Sequence, residues 1–175
     1  MDKTILRKRI IDELKRMPSH RFPKLYHQLF LLPQWQTARV IAVTLNTRIE
    51  LETEPIIRQA NRQHKRVVVP KILPKRQMEF DYLNASSHLI FNQFGIREVA
   101  NPNSVNRDQI DLFVVPGLGF ALETHDRLGF GGGYYDRYLR TARGFKVALA
   151  MPPQLFNRPA WPVESTDVKL DLILR

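Results

Sequence analysis

The chain has 175 residues, 43% of them apolar, and 27 Lys and Arg against 17 Asp and Glu give a formal charge of +10. That length suits one domain with a sizeable core, and no apolar run approaches the roughly 18 residues of a membrane-spanning helix. The absence of cysteine excludes disulfides, zinc–thiolate sites and thiol catalysis, and fits a reducing compartment without requiring one.

In chain order, Leu6, Ile10, Leu14 and Met17 recur at helical spacing until Pro18. They predict an amphipathic helix with Lys3, Arg7, Lys8, Lys15 and Arg16 off the apolar stripe. Lys3 and Arg7 share one face near its N-terminus, where the helix dipole already favours anions. A cation pair there suits phosphate binding better than helix stability, the alternative being an ordinary solvated face. The first nine residues lack the apolar segment and small-residue cleavage site of a secretory signal, which sets the expectation of a cytoplasmic protein.

A second short helix is expected over 24–32, closed by Pro33. Apolar runs then follow at 40–45 and 67–69, with a helix-like stretch between them after the start signal Thr53/Pro55, and a period-2 stretch covers 78–82. Further runs lie at 112–115, 147–150 and 170–174, with a helix over 134–140. The region 92–106 reads as irregular and 116–125 as a loop able to fold over a site. Strands alternating with helices predict an α/β fold: a single three-layer domain, residues 1–175, with a mostly parallel central sheet flanked by helices. In such sheets ligands bind outside the carboxyl ends of the strands.

The most specific stretch is Arg127-Leu128-Gly129-Phe130-Gly131-Gly132-Gly133-Tyr134-Tyr135-Asp136, which holds four of the chain's eight glycines within five positions. Glycine costs folding entropy, so a cluster marks a place where side chains would obstruct a ligand, and consecutive N–H groups in such a turn form a concavity for anions. Phosphate is the ligand this pattern suits, with Arg127 as a fixed charge; a ligand-free hinge is the alternative. The net charge also invites a nucleic-acid reading, but the cations are scattered and no recognised nucleic-acid motif is present. A polyanionic small substrate accounts for the surplus equally well.

Several further segments join this decapeptide: Lys3 and Arg7, Glu50-Leu51-Glu52-Thr53, Met78-Glu79-Phe80, Phe94-Gly95-Ile96-Arg97-Glu98, Val115-Pro116-Gly117-Leu118-Gly119-Phe120 and Asp167-Val168-Lys169-Leu170-Asp171. In this order, and over nearly the whole chain, they resemble the 5-formyltetrahydrofolate cyclo-ligases, also called 5,10-methenyltetrahydrofolate synthetases. The resemblance implies an ATP- and magnesium-dependent ring closure, in which ATP phosphorylates the formyl oxygen of 5-formyltetrahydrofolate and nitrogen 10 displaces phosphate. Such chemistry asks for positioning and charge neutralisation more than for a covalent nucleophile.

Carried over by position, the resemblance implies ATP contacts from Lys3, Arg7 and the stretch Arg127, Leu128, Gly129, Phe130, Gly131, Gly132, Gly133, Tyr134 and Tyr135. Arg127 is expected to neutralise charge on the moving phosphoryl group. Leu45, Glu50, Phe130, Gly131, Gly132, Gly133 and Tyr134 are implied folate contacts, with Asp136 and Asp171 as the Mg²⁺ acids. The alternatives are a solvated loop acid for Glu50, a helix first-turn carboxylate for Asp136 and a chance strand acid for Asp171. Gly132 stands where some relatives carry lysine, Ala121 where aspartate often follows the Gly-Phe turn, and Val99 where proline is expected. The implied partners are folate and ATP, without specific nucleic acid or membrane, in a monomer; a non-catalytic nucleotide- or folate-binding module is the competing class.

Overall fold

In the computed structural model, which describes residues 1–17, 22–101 and 103–175, the chain enters α1 (Lys3–Leu14) behind an N-cap aspartate. Asp2 accepts from the N–H groups of Thr4 (2.8 Å) and Ile5 (3.2 Å), and these bonds hold its carboxyl below the usual carboxylate range. Leu6, Ile10 and Leu14 form the buried stripe. Met17 lies past the helix end, half-buried, and Pro18, the expected stop, is outside the described residues. Helices α2 (Pro23–Leu31) and α3 (Pro33–Thr37) both open on proline, whose missing N–H costs nothing at a helix start.

Strand β1 (Val40–Ala42) leads to α4 (Glu54–Arg62). Thr53 precedes α4 but does not cap it with its side chain; its hydroxyl donates to Asn46 Oδ1 (3.1 Å), tying the helix start to the loop after β1. Strands β2 (Arg66–Leu73) and β3 (Gln77–Leu83) pair antiparallel, Val68 opposite Tyr82. Next, β4 (Leu89–Phe91) and β5 (Arg97–Val99) form a second hairpin in a region expected to be irregular. Asn92 is the reason: its Oδ1 accepts from the N–H groups of Phe94 (2.9 Å) and Ile96 (3.1 Å), building the turn from a residue that reads in sequence as loop.

After β6 (Leu112–Val114) the segment expected as a covering loop holds β7 (Gly119–Ala121), paired with β8 (Arg127–Leu128). Then come α5 (Tyr134–Leu139), β9 (Phe145–Leu149), β10 (Leu155–Phe156) and β11 (Leu172–Leu174). β10 joins β7 and β8 in a small sheet. Leu118, Phe120 and Ala121 are buried within it, so this stretch is packed scaffold rather than a lid. The strand expected over 170–174 begins only at Leu172.

The main sheet runs β11-β9-β6-β1-β2-β3, parallel except for the β2–β3 pair. Adjacent residues of each strand feed opposite faces. Ile41, Val43, Val67, Val69, Leu112 and Val147 pack against α1 to α4, whereas Val40, Ala42, Val68, Phe113 and Ala148 pack against Tyr138 and Leu139 of α5. The result is a single three-layer α/β domain. Chain order reverses at β1, which has β2 on one side and β6 on the other, so a crevice opens beyond their carboxyl ends. No helix among the described residues is long and apolar enough to cross a membrane.

Candidate active site

A cleft of about 890 Å³ occupies that crevice, a size typical of small-molecule sites. Thr44 and Leu45 beyond β1 and Pro116 beyond β6 line it, with the N-terminal face of α1, the glycine loop and the β2–β3 and β4–β5 hairpins. Of the residues expected to form a site, Lys3, Arg7, Leu45, Glu50 and the whole run 127–136 line this cleft; Asp171 does not.

The glycine loop is shaped by backbone that other residues hold at a cost. Gly131 has φ 106° and Gly133, the N-cap of α5, has φ 67°; both lie in the left-handed region that penalises a Cβ. At Gly132 the obstacle is steric, because a Cβ would fall 2.6 Å from the Tyr134 ring. The N–H groups of Gly131 through Tyr135 find no acceptor among the described residues. Arg7 Nε donates to the Gly129 carbonyl (2.8 Å) and Arg137 Nη1 to that of Gly132 (3.1 Å), so the loop's oxygens are held back on cations. Its donors are left for an anion.

Beneath the loop, Arg127 has a side chain only 3% exposed. Its Nη2 donates to Asp136 Oδ1 (2.8 Å) and its Nη1 to the Pro116 carbonyl (3.1 Å), while its buried Nε has no partner among the described residues. Asp136 Oδ1 also accepts from the Val168 N–H (3.2 Å). Arg127 is therefore first a holder of Asp136, and its charge reaches the cleft from below rather than on a free guanidinium. Lys3 Nζ meets Glu164 (2.7 Å) and Asp167 (3.4 Å). Burial pulls the Lys3 ammonium down, but the hydrogen bond to Glu164 and the charge of Asp167 outweigh it and hold the group above its ordinary value.

Asp171 stands elsewhere. Its Oδ2 accepts from the Lys146 N–H (2.7 Å), at the N-terminal end of β9, and its side chain is 44% exposed. Because β11 runs parallel to β9, Asp171, just before β11, belongs to the end of the sheet away from the cleft. The acid from the same segment that reaches the cleft is Asp167, with Glu164 nearby. Val168, the next residue after Asp167, is the one bonded to Asp136. The structure therefore keeps Asp171, expected as a metal acid, away from the cleft and brings Asp167 to it instead. No group of three or more His, Cys, Asp or Glu gathers among the described residues; two carboxylates with phosphate oxygens and water suit a hard divalent cation such as magnesium.

On the opposite side, Glu50 Oε2 accepts from the Thr47 N–H (2.8 Å) and hydroxyl (2.7 Å). One carboxylate oxygen is fixed and the other stays available to a ligand with paired N–H donors. Leu45 gives an apolar floor, while Phe130 is half-exposed at 48% and able to stack on a flat ring. Burial, and then the Glu50 charge, push the Tyr135 phenol well above its ordinary range, so it stays a neutral donor. Sequence reasoning gave no site role to Met78, Phe94, Ile96 or Arg76, which also line the cleft; the first three lie in segments that carried the family resemblance.

The family model described as the 5-formyltetrahydrofolate cyclo-ligase family matches residues 1–175. A 5-formyltetrahydrofolate cyclo-ligase of Escherichia coli is 32% identical over 157 residues, covering 84% of this chain and 83% of that one. A probable 5-formyltetrahydrofolate cyclo-ligase of Schizosaccharomyces pombe is 30% identical over 166 residues, 84% and 79%. Among solved structures, the 5,10-methenyltetrahydrofolate synthetase of Aquifex aeolicus superposes with a TM-score of 0.84 at 29% identity, covering 99% of this chain and 89% of that one. That of Mycoplasma pneumoniae gives 0.78 at 28%, covering 99% and 98%. With its full length matched by one family of ligases, the chain is an enzyme and belongs to the 5-formyltetrahydrofolate cyclo-ligase family.

Proposed function

We propose that this cleft binds ATP and 5-formyltetrahydrofolate side by side and converts the folate to 5,10-methenyltetrahydrofolate, with ADP and phosphate as the other products. The observation that carries the reading is the junction of two kinds of wall in one cleft. A loop of unpartnered N–H groups ringed by Lys3, Arg7 and Arg137 faces a half-engaged carboxylate, Glu50, over an apolar floor. The first wall suits a triphosphate and the second an aminopyrimidine ring, whose adjacent N–H groups Glu50 would accept.

In the proposed sequence the formyl oxygen attacks the γ-phosphorus, the bond to the bridging β,γ-oxygen breaks and ADP leaves. Nitrogen 10 then adds to the activated formyl carbon, the carbon–oxygen bond breaks, phosphate departs with the former formyl oxygen, and the proton of nitrogen 10 is lost to solvent. The protein's share is placement and charge. Lys3, Arg7 and the loop amides hold the phosphates, Glu50 and Tyr135 fix the ring, and Arg127 orients Asp136 while adding positive potential beneath the loop. Asp136 and Asp167 are the residues that would hold magnesium, which neutralises phosphate charge when bound. A monomer acting in the cytoplasm completes the proposal.

The test follows the formyl oxygen. With ¹⁸O in the formyl group, the label is expected in inorganic phosphate, one atom per methenyl product. Label released in water, or retained in folate, contradicts phosphorylation at that oxygen.

A further inference from the structure

The cleft's cations divide into two groups. Around the glycine loop each already has an acceptor: Lys3 has Glu164 and Asp167, Arg7 the Gly129 carbonyl, Arg127 has Asp136, Arg137 the Gly132 carbonyl and Arg140 the Thr166 carbonyl. Arg76 differs. It lines the same cleft from the turn between β2 and β3, is exposed, and has no hydrogen-bond or ion-pair partner among the described residues.

The backbone at this turn is unusual. Lys75 and Arg76 have φ 58° and 57°, a conformation uncommon outside glycine and asparagine. Such residues cost on the order of 1–3 kcal/mol each and persist where the surroundings or a function demand them. The turn's neighbours are apolar: Ile72 faces Met78 across the hairpin, and Phe94 and Ile96 of the β4–β5 tip line the same cleft. Glu98 ties that tip to β2, accepting from the Ile72 N–H (2.9 Å) and Asn92 Nδ2 (2.7 Å). Glu98 is 5% exposed, spends its Oε1 on these two bonds, and forms no ion pair with Arg76.

We infer that Arg76 binds the carboxylates of the substrate's glutamate tail and makes the β2–β3 turn the part of the enzyme that recognises it. The inference rests on the reading of the cleft as a folate site. With phosphates on the glycine loop and the pterin against Leu45 and Glu50, the substrate's remaining anionic group is the glutamate beyond its aminobenzoyl ring. The apolar side chains of Ile72, Met78, Phe94 and Ile96 suit the aromatic spacer, and the unengaged guanidinium beside them suits the carboxylates.

The experiment crosses substrate truncation with substitution. Wild type, Arg76→Ala, Arg76→Glu and Arg76→Lys are assayed with 5-formyltetrahydrofolate, its pentaglutamate and the glutamate-free 5-formyltetrahydropteroate. Arg76→Gly, which suits φ 57°, serves as a variant free of backbone strain. Arg76→Ala and Arg76→Gly are expected to raise KM about three- to tenfold for substrates that carry glutamate. Arg76→Glu should raise it further and Arg76→Lys less, with kcat, the ATP KM and the pteroate KM unchanged. An active wild type whose KM values do not respond to Arg76, or respond equally with and without glutamate, overturns the inference, as does an equal rise in the ATP KM. A wild type that forms no methenyl product from any of the three substrates instead sinks the folate reading, and this inference with it.

Discussion

Removing the Arg127 side chain tests together its ion pair with Asp136 and the charge it is proposed to add beneath the loop. Arg127 and Asp136 meet at 2.8 Å with side chains 3% and 20% exposed. Taking one partner from a buried ion pair costs about 3–5 kcal/mol, because the other charge is left uncompensated. Asp136 keeps some solvent contact and the Val168 N–H, so the lower end applies and Arg127→Ala should lose about 3 kcal/mol. Asp136→Asn leaves Arg127 a neutral acceptor and should lose about 1–2 kcal/mol. In the double variant neither stranded charge remains. The two losses should then fall short of additivity by about 1.5–2 kcal/mol, within the range for residues in direct contact.

Urea unfolding followed by the fluorescence of Trp35 and Trp161, both buried, measures this coupling. Turnover should show the same pattern: about 10²-fold lost in Arg127→Ala, as for other charge-stabilising donors, with the double variant no slower than the worse single one. Arg127→Lys should recover only part, since one ammonium cannot serve both Asp136 and the Pro116 carbonyl in the geometry of a guanidinium. Stability and rate losses that add within about 0.5 kcal/mol would refute the reasoning and make Arg127 independent of Asp136.

Glu50→Gln should raise the KM for folate about tenfold or more while the ATP KM stays within twofold, because one charge-assisted pair to the ring is lost; initial rates over both substrates check it, and equal shifts would make Glu50 a loop brace for Thr47. Asp167→Asn should depress turnover and recover partly at high magnesium. Asp171→Asn should leave turnover and magnesium dependence unchanged and cost only about 1 kcal/mol for the weakened bond to the Lys146 N–H, a contrast read from magnesium titrations of both variants. Gly131→Ala should lose about 1–3 kcal/mol to strain at φ 106° and weaken ATP binding, measured by thermal melting and calorimetric titration; an unchanged melt would mean that the loop is not held in this conformation.

Much of this was legible where the signal is local. The stripe Leu6, Ile10 and Leu14 fixes the buried face of α1, and the apolar runs around Ile41 and Leu112 mark strands buried on both faces. The glycine loop announces itself by composition. What escaped depends on partners distant in sequence. Phe120 and Ala121 read as a loop because β7 is made a strand by pairing with residues 155–156 and 127–128. Asn92 read as irregular because the same side-chain hydrogen bonding serves a loose loop and a hairpin turn. Asp167 and Asp171 share one pentapeptide, and four extended residues carry a chain about 13 Å. Only the parallel register of β11 on β9 decides which of them stands at the cleft. Arg76 carries no motif at all; its lack of a partner is visible only once the other cleft cations are seen to have theirs.

The most direct measurement is the absorbance of methenyl-folate after mixing the protein with 5-formyltetrahydrofolate and Mg-ATP, with ADP assayed in parallel. The account expects methenyl product to accumulate with one ADP per molecule formed, and neither to form when ATP is omitted or when Asp136→Asn replaces the wild type at low magnesium. Methenyl product at equal rate without ATP, or ATP hydrolysed without methenyl product, would contradict it.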